Sequence, residues 1–487
     1  MNVWRPSVVY QVLMLALGAL LTLPSAGQVT WRRSYGGFGS DNALSVRQTT
    51  DGGYIVAGAT GSFGNGSSDI YVVRIDEMGE HLWSRYYGGV GVDVGIACRE
   101  LEDGYIIAGT TATGSIGGYD MILIRTDEEG TPVWQRNYGS ADWDLCNAFA
   151  LVEDGFILAG VTYGVGTPLG SGFAIKTDLN GEVQWNYTLP ADQHSEFHGV
   201  IGTSDNGAAL CGSVLATNGN PDGILAKVDL LGAEQWLTVV GGDSTDQFSS
   251  VVEGPNGEMV LCGATSSNVA VQNIYLVGLD MTGALQWERL IGNSAESGGG
   301  EVQRAQGSGY VFTGFNTLNG GERDMILTVT DNSGWFQYGS NYGDGEPADG
   351  SSIAATADGG YVVAGWCENY GPGLRAMYVV KTDGNGQTAD LTVAPYLDPV
   401  GVDEVGRVDR LELFPNPLGL DRIVHIVTAA PGPLRMVLTD MQGRIVLDRT
   451  VSSSERAVEL PLLGQGAYHA TIGTTNGEIG SVLLLIQ

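Results

Sequence analysis

The residues with the clearest chemical potential are carboxylates at regular spacing. Asp41, Asp93, Asp144, Glu196, Asp246, Glu296 and Asp349 each lie 9 to 11 residues after an aromatic residue. Seven acids brought to one rim would attract a cation or a basic group. Acids at this kind of position also accept hydrogen bonds from the amides of their own turn, and the regular repetition favours that use. A second set, Asp69, Asp120, Asp222 and Asp324, invites the same reading. One constellation breaks the pattern: His194, Glu196 and His198 in QHSEFH. On an extended strand all three project to one side, and two imidazoles with a carboxylate form a zinc-type ligand set. Arg74, Arg125, Lys176, Lys227 and Lys381 each stand two residues before an Asp-x-x-Gly turn, a spacing that predicts structural ion pairs on one face of a strand. No nucleophile elbow or phosphate-binding loop occurs, and no pair of carboxylates is singled out for glycoside cleavage, so no catalytic residue is assigned. No cofactor is called for, a divalent cation at the acidic or histidine positions being the one exception.

These residues ride on an internal repeat. Asp-x-x-Gly turns begin at Asp76, Asp127, Asp178, Asp229, Asp280, Asp331 and Asp383, 51 residues apart with a last step of 52. An aromatic follows the glycine of each of the first six turns by four residues: Trp83, Trp134, Trp185, Trp236, Trp287 and Tyr338. A second glycine column runs through Gly58, Gly109, Gly160, Gly212, Gly263, Gly314 and Gly365. Within each unit, segments such as ALSVRQT, YIVAG, IYVVRID and HLWSRYYG read as four short strands separated by Asp-Gly-type turns. Four antiparallel strands in about 50 residues is the signature of a propeller blade. Trp31 precedes any first strand, and nothing like it follows Gly386. The expected fold is therefore all-β, a seven-bladed β-propeller at 28–390 whose N-terminal strand completes the last blade and pairs two open edges. The fourth-to-first and second-to-third connections vary in sequence and share one face. The other face carries tight, uniform turns and looks structural. Binding is expected on the variable face, where Trp143, Tyr163, Trp366 and Tyr370 are candidate exposed aromatics.

The chain ends carry addresses. Residues 8–24, VVYQVLMLALGALLTLP, follow Arg5 and precede small residues, the order of a secretory signal peptide at 1–27. No further stretch is long and apolar enough to span a bilayer as a helix, so no transmembrane segment is expected in the mature chain. The 5 cysteines are odd in number, and Cys211 and Cys262 fall in a column otherwise held by Ala57, Ala108, Ala159, Thr313 and Ala364, which predicts buried apolar thiols. With 23 Lys+Arg against 55 Asp+Glu, the net charge of −32 repels phosphate backbones and excludes nucleic acid as a partner. The 75 glycines oppose helical bundles, while 43% hydrophobic residues suffice for a core.

After a linker at 391–407, alternating apolar segments predict a small Ig-like β-sandwich at 408–487. FPNP at 414–417, LTDMQGRIV at 438–446, GQGAYHATI at 464–472 and an apolar final strand resemble the type IX secretion (Por secretion) C-terminal sorting domain. The residues carrying the likeness are Phe414, Pro415, Asn416, Pro417, Asp440, Gly443, Arg444, Gly466 and Tyr468. The resemblance implies the type IX secretion machinery as a partner and a secreted or outer-cell-surface location. SVLLLIQ departs from it by lacking a basic residue near its end. The repeats also resemble glycine-rich β-propeller repeats of exported bacterial proteins. The functional expectation is a non-catalytic module that binds an extracellular glycan or protein. The alternatives are a polysaccharide hydrolase or lyase acting at the variable face, and a structural surface or adhesion component.

Overall fold

The computed structural model describes residues 28–389 apart from 116, 165, 167–168, 293–294, 318–320 and 372. Beyond them it describes 391–393, 400–401, 412–414, 423–427, 434–440, 444–451, 457–461, 463, 466–474 and 477–486. Among these residues every regular element is a strand. The expected signal peptide, most of the linker, and Pro415, Asn416, Pro417 and Gly443 lie outside them.

Each repeat unit forms its own antiparallel sheet in sequence order, the arrangement of a β-propeller repeat fold. The first unit shows why. Asp41–Gln48 turns back into Tyr54–Thr60 through Thr49–Gly53, where Gly52 takes φ +91° and donates its N–H to Thr49 O at 2.9 Å. Asp69–Ile75 follows, then Asp76 accepts the amides of Met78 and Glu80 and Gly79 takes φ +75°, which starts His81–Tyr87. The second and third strands are rich in Val, Ile and Tyr, and every residue of Asp69–Ile75 is buried.

Apolar clusters lie between consecutive sheets. Ile55, Val72 and Tyr87 of one unit pack with Cys98, Tyr105 and Ile107 of the next. A tyrosine near the end of the fourth strand latches the same contact: the hydroxyls of Tyr87, Tyr138 and Tyr342 donate to the carbonyls of Gly130, Gly181 and Gly386 in the following unit at 2.7, 2.7 and 2.8 Å. The strand Trp31–Tyr35 pairs antiparallel with Arg375–Thr382, Trp31 opposite Lys381 and Ser34 opposite Tyr378. Its own tyrosine, Tyr35, donates to Gly79 O at 2.7 Å, and Trp31 and Tyr35 share a cluster with Val46, Tyr54, Val362 and Val379. The edges of two outer strands take on parallel partners from beyond the repeats: Leu391–Val393 beside Trp31–Tyr35, and Val400–Gly401 beside His81–Tyr87.

The basic column does form ion pairs, but the partner is the hairpin aspartate between the first two strands. Arg74, Arg125, Lys176, Lys227 and Lys381 meet Asp51, Asp103, Asp154, Asp205 and Asp358. The aspartate two residues ahead is engaged by its own turn amides instead. All five cysteines are free and buried.

The C-terminal strands make a three-stranded sheet (Glu412–Phe414, Ile423–Val427, Ala457–Glu459) and a four-stranded one (Leu434–Asp440, Ile445–Val451, Gly466–Thr474, Gly477–Ile486). Leu434, Met436, Leu438 and Ile472 of the larger sheet pack against Val458 and Leu460.

Candidate functional site

The repeated acids do not form one rim. Asp41, Asp93, Asp144 and Asp246 open their strands and are at most 1% exposed. Each clamps the loop in front of it. Asp41 accepts from Gly37 N at 2.8 Å, Ser62 Oγ at 2.6 Å and Thr60 Oγ1. Asp246 accepts from Gly242 N at 2.8 Å, Ser267 Oγ at 2.7 Å and Thr265 Oγ1. Glu196, Glu296 and Asp349 belong to other positions, because the residues equivalent to Asp41 in those units are Ser195, Ser297 and Ala348. A shift of one residue along a strand sends the side chain to the opposite face. Glu296 and Asp349 instead converge on Arg323, at 3.7 and 3.0 Å, and burial lifts the Asp349 carboxyl to about 6 despite that guanidinium.

Asp69 shows what a second buried acid does in this setting. A Cβ at Gly88 would lie 2.5 Å from an oxygen of Asp69 and equally near one of Asp93. Burial, reinforced by the Asp93 charge, lifts the Asp69 carboxyl to about 6.

His194 and Glu196 meet at 2.7 Å, but His198 is the bulged residue between Phe197 and Gly199, and it faces a cavity lined by the first strands. Burial lowers its basicity, a drop that Glu196 opposes and His194 deepens. Among the described residues no three His, Cys, Asp or Glu side chains are placed to hold a metal ion, so the expected three-ligand set does not assemble.

Two arrangements do assemble. The first is an aromatic run across three units. Tyr119 and Trp143 make an edge contact with ring centres 5.2 Å apart, Trp143 and Tyr163 another at 6.3 Å, and Tyr163 lies 6.4 Å from the His194 ring. Trp143 is 51% exposed. These residues sit on the variable connections, as expected. Trp366 and Tyr370 do not join them: Trp366 lies under Arg375 at 3.8 Å, and Tyr370 packs on Tyr378.

The second is the cavity, about 550 Å³, lined by residues from the first strand of every unit from Asp41–Gln48 to Ala348–Ala355. Each of these strands carries a bulge at the same place, which turns Leu44, Ile96, Asn147, His198, Ser249 and Ser351 to the cavity. Just beyond the bulge the repeat is broken. Ser45, Ala97, Ala148, Gly199, Ser250 and Ser352 share a column of small residues in which the sixth unit has Glu301, there part of a wider bulge with Gly300. Two positions later Ala150, Ile201, Val252 and Ala354 share a column in which the first two units have Arg47 and Arg99, and the sixth Gln303. Arg47 reaches Glu301 with both terminal nitrogens, Ser352 Oγ donates to Glu301 at 2.7 Å, and Ile353 N donates at 3.1 Å. Burial opposes ionisation of Glu301, but Arg47, the Arg99 charge and the Ser352 hydrogen bond hold its carboxyl below the ordinary range. Arg99 Nη1 donates to Ser45 Oγ at 3.1 Å and Cys98 O at 2.9 Å. None of these three charged residues stood out as a site from the sequence. The signal lay in the columns: one acid among small residues and two arginines among aliphatics.

No protein-family model matches the sequence. Among curated proteins, the regulatory protein FlaEY of Caulobacter vibrioides is 24% identical over 56% of this chain and 36% of its own length, so the chain spans about a third of that relative. Among solved structures, the β-propeller domain of the Trilobed protease from Pyrococcus furiosus is 11% identical with a TM-score of 0.44, over 75% of this chain and 98% of that one. The Pan2 WD40 domain of Neurospora crassa is 11% identical with a TM-score of 0.43, over 72% and 92%. The extracellular domain of a hybrid two-component system from B. thetaiotaomicron is 10% identical with a TM-score of 0.39, over 92% and 57%.

Proposed function

We propose that the protein is an exported, non-catalytic binding module: a seven-bladed β-propeller at 28–390, closed by its first strand, that holds an extracellular glycan on its variable face. The observation that carries the binding role is the aromatic run Tyr119, Trp143, Tyr163 and His194, with Trp143 half exposed. Aromatic faces of this kind stack on the apolar faces of sugar rings while their polar tips stay wet. Closure is supported by the pairing of Trp31–Tyr35 with Arg375–Thr382, and by a cavity to which every unit's first strand contributes. Export rests on the signal-peptide pattern at 1–27. The route rests on the likeness of residues 408–487 to the type IX sorting domain, with the two packed C-terminal sheets as its Ig-like β-sandwich and the type IX machinery as its partner. The destination is the medium or the outer cell surface.

The test is a glycan array probed with the purified protein and with Trp143→Ala and Tyr163→Ala. Selective glycan binding that falls at least tenfold in Trp143→Ala, with unchanged melting temperature, supports the reading. Binding that both variants retain removes the aromatic run from the function. Cleavage of a bound polysaccharide would transfer the protein to the hydrolase or lyase class.

A further inference from the structure

The inner cavity has a charge arithmetic of its own. Arg47 and Glu301 neutralise each other through two contacts. Arg99 makes no ion pair, and its remaining donors on Nε and Nη2 have no hydrogen-bond partner among the described residues. Its guanidinium lies near the Phe149 ring, 5.8 Å from the centroid. A guanidinium has five N–H donors in a rigid fork that matches a carboxylate. Arg99 is only partly buried, so its remaining donors face the open space of the cavity, where a ligand could take them. Glu301 attracts the guanidinium, but Glu301 is held by Arg47 and makes no ion pair with Arg99 among the described residues. Ser249, Ser351 and Asn147 line the same space and supply neutral hydrogen-bonding groups. The volume of about 550 Å³ falls within the roughly 300–1,000 Å³ typical of small-molecule sites.

We infer that this cavity binds a small hydroxylated organic carboxylate, its carboxylate taken by the free fork of Arg99 and its hydroxyls by the surrounding serines and Asn147. The inference deepens the binding reading and rests on its closed ring, since only closure walls the cavity on all sides. It also places a ligand away from the aromatic run, because Arg99 stands near the end of its strand that leads into the tight hairpin Leu101–Gly104. Arg47, Arg99 and Glu301 together leave one net positive charge, which suits a monoanion better than phosphate, whose second charge would meet an acidic protein.

The experiment is calorimetric titration of the full-length protein with galacturonate and lactate as carboxylates, phosphate as the rival oxyanion, and galactose as the neutral control. The expected result is saturable binding of at least one carboxylate, at least tenfold tighter than galactose or phosphate, that weakens at least tenfold in Arg99→Gln. Arg99→Lys, which keeps the charge and loses the fork, should fall between the two. Arg99→Gln removes a guanidinium that Arg47 repels and Glu301 attracts, so its melting temperature should stay close to that of the parent. Carboxylate binding that Arg99→Gln leaves intact, tighter binding of phosphate, or no binding of either carboxylate would overturn the inference. Trp143→Ala should leave carboxylate binding unchanged, so loss of glycan binding at the rim and loss of the cavity site read out separately.

Discussion

At the scale of single residues, the fold holds carboxylates in two opposite electrostatic states. Asp69 is buried beside Asp93, and its carboxyl rises to about 6, first through burial and then through that neighbour's charge. The native state therefore holds a proton that the unfolded chain releases near pH 4, so stability falls as pH rises from about 4 through 6. Asp69→Asn should stabilise the protein by roughly 2 kcal/mol at pH 8, with the gain vanishing below about pH 4. Urea unfolding at both pH values checks this, and an equal gain at each would remove the charge from the explanation. Asp205 is the converse. Burial works against its ionisation, but hydrogen bonds from Thr203, Lys227 and Gly207 and the Lys227 charge outweigh it, and the carboxyl drops to about 2. Its contribution is complete above about pH 4 and is lost as pH falls through about 2. Asp205→Asn leaves the buried Lys227 ammonium without its anion, and should cost about 1–2 kcal/mol at pH 7 after allowing for the exposure of Asp205. At about pH 1, below that value, the variant and the parent should unfold together. The sequence made the loop-clamping role of such acids legible. It did not separate Asp41 and its equivalents from Glu196, Glu296 and Asp349, because neighbours in a strand differ by a face and loop lengths between units vary by a residue. The hairpin partners of the basic column were missed for a related reason. A strand residue finds its partner across the sheet, whereas the spacing in the chain pointed only to the turn beside it.

At the scale of elements, the turns were the most legible feature, since their glycines serve backbone conformation more than side-chain identity. The Asp-x-x-Gly glycines take φ between +75° and +81°. They also face the fourth strand of the preceding unit: a Cβ on Gly130 would lie 3.0 Å from both the Trp83 ring and Arg85. Gly307, at φ +90°, has nothing within 4 Å of the same point. Gly307→Ala should then cost about 1–2 kcal/mol from backbone strain alone. Gly130→Ala should cost at least about 1 kcal/mol more, because the indole must shift against packed neighbours. Equal costs in denaturant melts would mean that the Trp83 contact contributes nothing. The bulge in each first strand was not legible, because it leaves no fixed residue type behind; Leu44, Asn147, His198 and Ser249 occupy it equally well. Yet the bulge decides which side chains reach the cavity, so the candidate site was hidden for the same reason.

At the scale of the whole molecule, the order of strands matters more than any one contact. Among the sheets of the repeat, the one containing Arg375–Thr382 takes its next strand from the other end of the sequence. Without Trp31–Tyr35, the edge of Arg375–Thr382 would present unpaired amides and carbonyls, and Trp31 and Tyr35, now 5% and 1% exposed, would leave a gap beside Tyr54, Val362 and Val379. Removing a buried Trp or Tyr ring typically costs about 3–5 kcal/mol. Two such rings and a strand's worth of hydrogen bonds are a large share of the 5–15 kcal/mol that usually separates folded from unfolded chains. Deleting residues 28–36 should therefore lower the melting temperature sharply and drive association through the bare edge. A synthetic peptide of residues 28–36 added in trans should restore both the melting temperature and the parent's association state. Trp31→Ala within that peptide should abolish the rescue, since the indole also donates to Glu77 O at 3.0 Å across the contact with the first unit. A deletion that melts and associates like the parent would mean that the last sheet is stable without its borrowed strand. Pairing with the N-terminal strand would then be dispensable to the fold.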